Sequence, residues 1–242
     1  MATFFVSDIH LSAARPAIVD DFVKFLEYLA PQANTLYILG DCFDLYLGDD
    51  DDTEPHPRII AALKALTRTQ TTVNIVRGNH DFLMGKDFEI RTGTKVLNDL
   101  TVLDLYGTAT LIMHGDTLCT DDVEYQAFRR YSRDPNNQRT FLALPLQTRR
   151  AQAQQLRATS QDRTRLKADE IMDVNANAVT EIMQTHKVSQ LIHGHTHRPG
   201  VHDVDLGGKT PGKRIVLADW YDSASVLIYD ERGARRCNLN DL

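Results

Sequence analysis

Five short blocks rich in aspartate and histidine restrict the possible fold of this chain more than any other feature. Each block follows an apolar run of strand length, so we expect each to lie where a β-strand ends. In chain order the blocks are Asp8-Ile9-His10, Gly40-Asp41-Cys42-Phe43-Asp44, Gly78-Asn79-His80-Asp81, His114-Gly115-Asp116 and His193-Gly194-His195-Thr196-His197. Because sites in open α/β sheets form outside the carboxyl ends of strands, the blocks predict one shared site.

The first third of the chain alternates between strand-like and helix-like patterns. Residues 3–7, 35–39 and 72–76 are predicted strands, and residues 18–30 and 57–69 are predicted amphipathic helices. This β-α-β-α-β order predicts right-handed crossovers and a parallel sheet.

The remainder predicts a mixed sheet that is interrupted by a long helical insertion. Residues 102–105 and 108–113 form a predicted hairpin around Tyr106-Gly107. Residues 121–185 have almost no strand signal, and we expect them to form a helical insertion far longer than an ordinary connection. Further strands are predicted over residues 189–192, 214–217 and 225–229.

The composition indicates a cytoplasmic protein of one large domain, or of a core domain with an insertion. The chain has 242 residues, 42% of them hydrophobic. It contains no apolar run of about 18 residues, so no transmembrane helix is expected. The first residues lack the basic region of a signal peptide, and three widely spaced cysteines fit a reducing compartment.

The net charge of −6 is unevenly distributed. Residues 129–167 carry ten basic and two acidic side chains, a local charge of +8. Such a block indicates either an anionic partner, such as phosphate, nucleic acid or an anionic membrane, or a solvated helix face. Inside it, residues 141–146 are apolar, which fits a lipid contact or a buried helix contact. No pattern of stacking aromatics supports nucleic acid as the partner.

The blocks supply a mixed set of oxygen and nitrogen donors without a thiolate. The candidate metal ligands are Asp8, His10, Asp41, Asn79, His114, His195 and His197. Seven ligands exceed the needs of one four-coordinate ion and match two divalent ions of the manganese, iron or zinc type. Asp41 is the best candidate for a shared carboxylate. Two such ions would lower the pKa of a bound water and hold the oxygens of a phosphate.

The third block adds a candidate proton donor beside the ligands. His80 could protonate a leaving oxygen while Asp81 orients its ring, or it could support the site without a proton role. Asp44 and Asp116 are expected to hold the ligands in place rather than to bind metal themselves.

The five blocks, in this order, resemble the pattern of the calcineurin-like metallophosphoesterase superfamily. That pattern is D-x-H, G-D-x-x-D, G-N-H-D/E, H-G-D and G-H-x-H. The resemblance implies an α/β fold in which two mixed β-sheets form a sandwich flanked by helices, with residues 121–185 as a helical cap on a single domain. It also implies two four-residue metal sites: Asp8, His10, Asp41 and His197 for one ion, and Asp41, Asn79, His114 and His195 for the other.

Longer strings narrow the resemblance to the bacterial UDP-2,3-diacylglucosamine hydrolases. They are residues 37–41, 48–51, 111–122, 171–175 and 192–199. This family implies manganese, cleavage of a lipid-linked nucleotide to UMP and lipid X in lipid A biosynthesis, and peripheral binding to the cytoplasmic face of the inner membrane. It indicates no obligate protein partner. The implied substrate contacts are Asn79, His80, Asp122, Ser160, Thr164, Lys167 and His195.

Position 80 departs from that narrower family, which usually has arginine there. Arginine would hold phosphate as a fixed cation, whereas His80 can also donate a proton. Two other functions stay open: hydrolysis of a soluble nucleotide or phosphodiester, and a non-catalytic scaffold on the same fold. Comparable activity on UDP-sugars without acyl chains would favour the first, and missing ligands would mark the second.

Overall fold

The computed structural model describes residues 2–164, 173–221 and 224–239, with the side chains of 159–164 excepted. Its core is a sandwich of two mixed β-sheets with helices on the outside, as the resemblance implies. The first sheet contains β1 (Ala2–Val6), β2 (Ala33–Leu39), β3 (Thr72–Val76), β4 (Lys95–Val96), β10 (Ser225–Asp230) and β11 (Gly233–Asn238). The second contains β5 (Thr101–Leu105), β6 (Thr108–Ile112), β7 (Gln190–His193), β8 (Gly200–Val204) and β9 (Gly212–Val216).

The strand order confirms the parallel sheet predicted for the first third of the chain. The first sheet has the order β11-β10-β1-β2-β3-β4, in which β1, β2, β3 and β4 are parallel. The second has the order β5-β6-β7-β9-β8, with β5 and β6 paired as the predicted hairpin. The carboxyl ends of β1, β2, β3, β6 and β7 lead directly into the five blocks.

Seven α-helices surround the sheets in the described parts of the chain. They are α1 (Pro16–Lys24), α2 (His56–Leu66), α3 (Lys86–Thr92), α4 (Val123–Arg133), α5 (Pro135–Leu142), α6 (Leu146–Thr164) and α7 (Ala176–Thr185). The helix predicted to reach residue 30 ends as a regular α-helix at Lys24 and continues as a π-helical turn and a 3-10 turn. Pro31, which has no N–H to donate, lies in that last turn.

Apolar side chains fill three layers, which fixes how the sheets face each other. One cluster lies between the first sheet and α1 and α2, and another lies between the second sheet and α7. The middle cluster joins strands of both sheets, for example Phe5 of β1 with Ile192 of β7. Burial of these two faces against each other holds the strand ends, and so the blocks, in one place.

Most of the described arginines in the basic segment pair with the chain's own carboxylates. Arg129 binds Asp99 and Asp116, Arg149 binds Asp50, Arg150 binds Asp51 and Arg157 binds Asp44. The local charge of +8 is therefore partly neutralised from within, and less of it is left for an anionic partner. In the apolar run from 141 to 146, Phe141 packs on the core while Leu142 stays exposed.

Candidate metal centre

The backbone turns sharply where each strand delivers its ligands. Asp8, His10, Asp41, His195 and His197 all adopt left-handed backbone conformations, with φ between 51° and 69°. Such conformations cost non-glycine residues about 1–3 kcal/mol each and persist where the surrounding structure enforces them. Five of them at one location indicate that the backbone is bent to direct these side chains into a common space.

Two glycines let these turns approach the carboxylates closely. A Cβ atom on Gly194 would collide with Asp8 Oδ2 and with the Ser7 hydroxyl, and one on Gly78 would collide with Asp41 Oδ1. Only glycine leaves room for the carboxylates there.

The first group of metal-ligand donors consists of Asp8, His10 and His197, whose ligand atoms lie within 4.8 Å of one another. We call such a set of possible metal ligands a donor group. Nε2 of His10 lies 3.4 Å from Nε2 of His197, and the latter lies 3.5 Å from Asp8 Oδ1. Burial lowers the pKa of His10 to about 4, so its ring is neutral at neutral pH. Two imidazole nitrogens that face each other beside a carboxylate fit a shared divalent cation.

The second group consists of Asp41, His114 and His195, again within 4.8 Å. His114 donates through Nδ1 to the carbonyl of Leu39 at 2.9 Å, which directs Nε2 into the group. That Nε2 lies 2.9 Å from Asn79 Oδ1 and 3.6 Å from Asp41 Oδ2. Asn79 therefore joins this group as an oxygen donor.

The two groups provide a strongly negative environment that suits cations. Burial raises the pKa of the Asp8 and Asp41 carboxyls, but neighbouring histidines outweigh it and keep both below their usual range. Burial lowers the pKa of His114, yet Asp41 and Asp8 outweigh it and raise the value to about 9. Both carboxylates stay ionised at neutral pH, as metal ligands must.

Asp41 lies between the two groups. Its Oδ2 is 3.8 Å from Nε2 of His10 and 3.6 Å from Nε2 of His114. Asp41 also forms a third group of donors with His10 and His80. This is the position expected of a carboxylate shared by two ions.

The sequence-based prediction that Asp81 orients the His80 ring is wrong. His80 donates through Nδ1 to the main-chain carbonyl of Asp44 at 2.8 Å, and its Nε2 faces Asp41 Oδ2 at 3.9 Å. The Asp81 carboxylate is buried and accepts the backbone N–H groups of Cys42 and Gly78, each at 2.7 Å. Asp81 therefore ties the second block to the third instead of contacting the ring beside it in sequence.

Asp44 and Asp116 bind arginines and a tyrosine at the edge of the site. Both oxygens of Asp44 accept from Arg157 on α6, at 2.7 and 2.8 Å. Asp116 accepts from Arg129 and from the hydroxyl of Tyr125 on α4. The helical segment is thereby attached directly to the edge of the ligand cluster.

The predicted substrate contacts fall into three groups. Asn79, His80 and His195 lie in the cluster itself. Asp122 caps α4, where its carboxylate accepts the backbone N–H of Tyr125. Ser160 and Thr164 lie on α6 with side chains outside the described ones, and Lys167 lies outside the described residues altogether.

Comparison with known proteins places this arrangement in a family. The model for calcineurin-like phosphoesterases matches residues 1–199. Proteins named UDP-2,3-diacylglucosamine hydrolase from Pectobacterium carotovorum and from Escherichia coli O7:K1 are 49% and 47% identical over 227 residues, which is 94% of each chain. The chain belongs to the calcineurin-like phosphoesterases, in the UDP-2,3-diacylglucosamine hydrolase family.

The fold of these phosphoesterases also occurs in a more distant solved structure. An archaeal phosphodiesterase superposes with a TM-score of 0.50 at 13% identity, covering 99% of this chain and all of the other. Membership of the hydrolase family confirms the resemblance predicted from the five blocks and identifies the protein as a hydrolytic enzyme. No helix in the described part of the chain is both long and apolar enough to cross a membrane.

One group of residues beside the site escaped the sequence analysis of this phosphoesterase. His197 turns its Nδ1 toward Asp219 Oδ2 at 3.5 Å, and the ring of Tyr221 lies 5.4 Å from that of His10. Between them, Trp220 is fully buried and donates its backbone N–H to the carbonyl of Asp8. The sequence signal that could have revealed them is the one that marked the five blocks, namely polar residues that follow closely on a strand, here β9.

Proposed function

We propose that this protein hydrolyses the pyrophosphate bond of UDP-2,3-diacylglucosamine to UMP and 2,3-diacylglucosamine 1-phosphate. The observation that carries the proposal is a pair of donor groups sharing Asp41 in a chain 47–49% identical to proteins named for this activity. Water supplies the oxygen for the new P–O bond, the bridging P–O bond breaks, and the leaving phosphate takes up a proton.

The donor set supports two divalent metal ions, which we propose to be Mn²⁺. Asp8, His10, Asp41 and His197 would hold one ion, and Asp41, Asn79, His114 and His195 would hold the other. Two such ions, when bound, lower the pKa of a water and neutralise charge on the phosphates. The set contains carboxylate, amide and imidazole ligands and no thiolate, which suits manganese.

His80 is the proposed proton donor to the leaving oxygen. Its Nδ1–H donates to the carbonyl of Asp44 at 2.8 Å, so Nε2 is the ring nitrogen left to face the substrate. That nitrogen faces Asp41 at 3.9 Å, at the edge of both donor groups. The side chain is 30% exposed, which leaves a substrate oxygen access to the ring.

The helical segment over about residues 121–185 is the proposed cap over the lipid half of the substrate. Its helices attach to the site through Arg157 and Tyr125 and expose the apolar side chains of Phe128, Leu142 and Leu156. Exposed apolar side chains next to a phosphate site suit acyl chains and the cytoplasmic surface of the inner membrane. Asp122, Ser160, Thr164 and Lys167 would contact the acylated sugar phosphate.

UMP release from matched substrates tests this function. We expect the manganese-loaded protein to release UMP from UDP-2,3-diacylglucosamine at least about 100-fold faster than from UDP-N-acetylglucosamine, because only the former can bury apolar chains. Comparable rates would indicate a hydrolase of soluble nucleotides instead. Failure to release UMP from either substrate would contradict the proposal.

A further inference from the structure

The proposed substrate has two unlike halves, and the two ends of the donor cluster are unlike as well. At one end, the ring of Tyr125 on α4 lies nearly parallel to that of His195, with centroids 6.0 Å apart. At the opposite end, the ring of Tyr221 lies 5.4 Å from His10 and 5.6 Å from His197. A pyrophosphate held by the cluster would therefore extend toward Tyr125 in one direction and toward Tyr221 in the other.

The end marked by Tyr221 differs chemically from the cap. It is formed by the loop after β1 and the loop after β9, and Arg157 of α6 lies close enough to interact electrostatically with Tyr221. The Tyr221 ring is half exposed, at 49%, and the guanidinium of Arg15 lies 4.1 Å from its centroid. We call this pair, Arg15 and Tyr221, the aromatic ledge.

Among the described residues, no carboxylate forms an ion pair with Arg15, and its guanidinium is held in place by other contacts. Its guanidinium donates to the carbonyl of Trp220 at 2.9 Å and to that of Ile9 at 3.5 Å. Arg149, Arg150 and Arg157 each pair with a carboxylate, whereas the contacts found for Arg15 across the described ranges are two carbonyls and a ring. A positive group with this environment is suited to an incoming phosphate or carbonyl oxygen.

The ledge is anchored to the protein core through the residue beside Tyr221. Trp220 is fully buried and packs edge-on against Phe22 and Phe25, with ring centroids 5.4 and 5.7 Å apart. The backbone N–H of Tyr221 donates to Asp219 Oδ1 at 2.9 Å, which fixes the turn that presents the ring. An anchored aromatic face beside a fixed cation matches a pyrimidine base, which offers a π-face and carbonyl oxygens.

We propose that the aromatic ledge binds the nucleotide half of the substrate and so sets the specificity for a pyrimidine nucleotide. The assignment rests on the proposed function, because it divides that substrate between the two ends of the cluster. Tyr221 stacks on the base, and Arg15 contacts the base carbonyls or the adjacent phosphate. The acylated sugar then lies at the Tyr125 end, beneath the cap.

Binding of the two products, measured separately, tests the ledge. Inhibition constants for UMP and for 2,3-diacylglucosamine 1-phosphate are determined for the wild type, Tyr221→Leu, Tyr221→Phe and Arg15→Gln, and UMP binding is confirmed by calorimetry. We expect Tyr221→Leu and Arg15→Gln to weaken UMP about fivefold or more, because stacking and charge are lost. The lipid product should change less than twofold, and Tyr221→Phe should behave as the wild type.

A matched control is Tyr28→Leu, which removes a tyrosine that is 73% exposed on the turn before β2. Unchanged UMP binding in Tyr221→Leu, or equal weakening of both products, would overturn the ledge. If the wild type cleaves UDP-2,3-diacylglucosamine in that case, the proposed function stands and only this inference fails. If the wild type does not cleave UDP-2,3-diacylglucosamine, calorimetry with UMP still decides whether the ledge is a nucleotide site.

Discussion

His197 lies between two carboxylates that contact its two ring nitrogens. Nε2 points into the donor group, 3.5 Å from Asp8, while Nδ1 points outward, 3.5 Å from Asp219. A carboxylate behind a ligating histidine fixes its tautomer and orientation and makes the ring a stronger ligand. Asp219 is therefore a positioning residue for this histidine.

Replacing Asp219 by asparagine should weaken metal binding without unfolding the protein. We expect Asp219→Asn to lower the affinity for Mn²⁺ about 10- to 100-fold, the usual effect of losing such a partner. The paramagnetic resonance signal of free Mn²⁺ during a titration measures this directly. Asp203→Asn, which removes an exposed carboxylate paired with Lys213, is the control; equal Mn²⁺ affinities in the two variants would contradict the role.

At the level of single residues, the sequence predicted which residue types lie at the strand ends better than it predicted the directions of their side chains. Each candidate ligand follows a strand, and the strand ends bring them together because the sheets pack face to face. The sequence could not show that Asp81 turns into the core to accept backbone N–H groups while His80 turns outward. Asp219 was overlooked because its partner, His197, is 22 positions away along the chain.

Besides Arg157, two neighbouring arginines in very different environments attach α6 to the core. Arg149 is 1% exposed, and its guanidinium donates to Asp50 and to the carbonyls of Leu47 and Leu144. Arg150 has a side chain that is 40% exposed and binds Asp51 at 2.9 Å. The first arginine is buried and binds backbone carbonyls, whereas the second is partly exposed and pairs with the buried carboxylate of Asp51.

This difference predicts unequal costs for the same substitution. Arg149→Met should lower the free energy of unfolding by about 2–4 kcal/mol, because the buried carbonyl of Leu47 and the half-buried carbonyl of Leu144 lose their donor. Arg150→Met should cost less, about 1 kcal/mol, because the guanidinium is partly exposed and the Asp51 carboxylate keeps the N–H and hydroxyl of Thr53 as donors. Urea unfolding at neutral pH measures both, with similar m values expected. Losses of equal size would show that α6 is held in some other way.

Among the elements, long apolar runs were predicted well and short polar ones were not. β3 has the predicted bounds, and β1, β2 and the β5–β6 hairpin differ by one or two residues at their ends. β4, β8, β11 and α3 were missed. β11 exposes most of its side chains at the sheet edge and β4 has only two residues, so neither has an apolar pattern to detect.

Across the whole molecule, the folded chain brings its opposite charges together. The basic helical segment lies against the acidic loop after β2, and two buried carboxylates, Asp8 and Asp41, lie where the five strand ends meet. A sequence shows how much of each charge there is but not which charges are paired. The anionic partner suggested by the basic segment is better sought at the metal centre and the ledge than along α6.

Metal content and turnover, measured together for the wild type and for Asp41 variants, test the central claim most directly. We predict close to two divalent ions per active wild-type chain by elemental analysis. Asp41→Ala and Asp41→Asn, checked for folding by circular dichroism, should bind fewer than one ion per chain. Their turnover should fall by more than about 100-fold, which exceeds the effect of losing a residue that only supports a metal ligand. Active protein without divalent metal, or an Asp41 variant with unchanged turnover, would contradict the account.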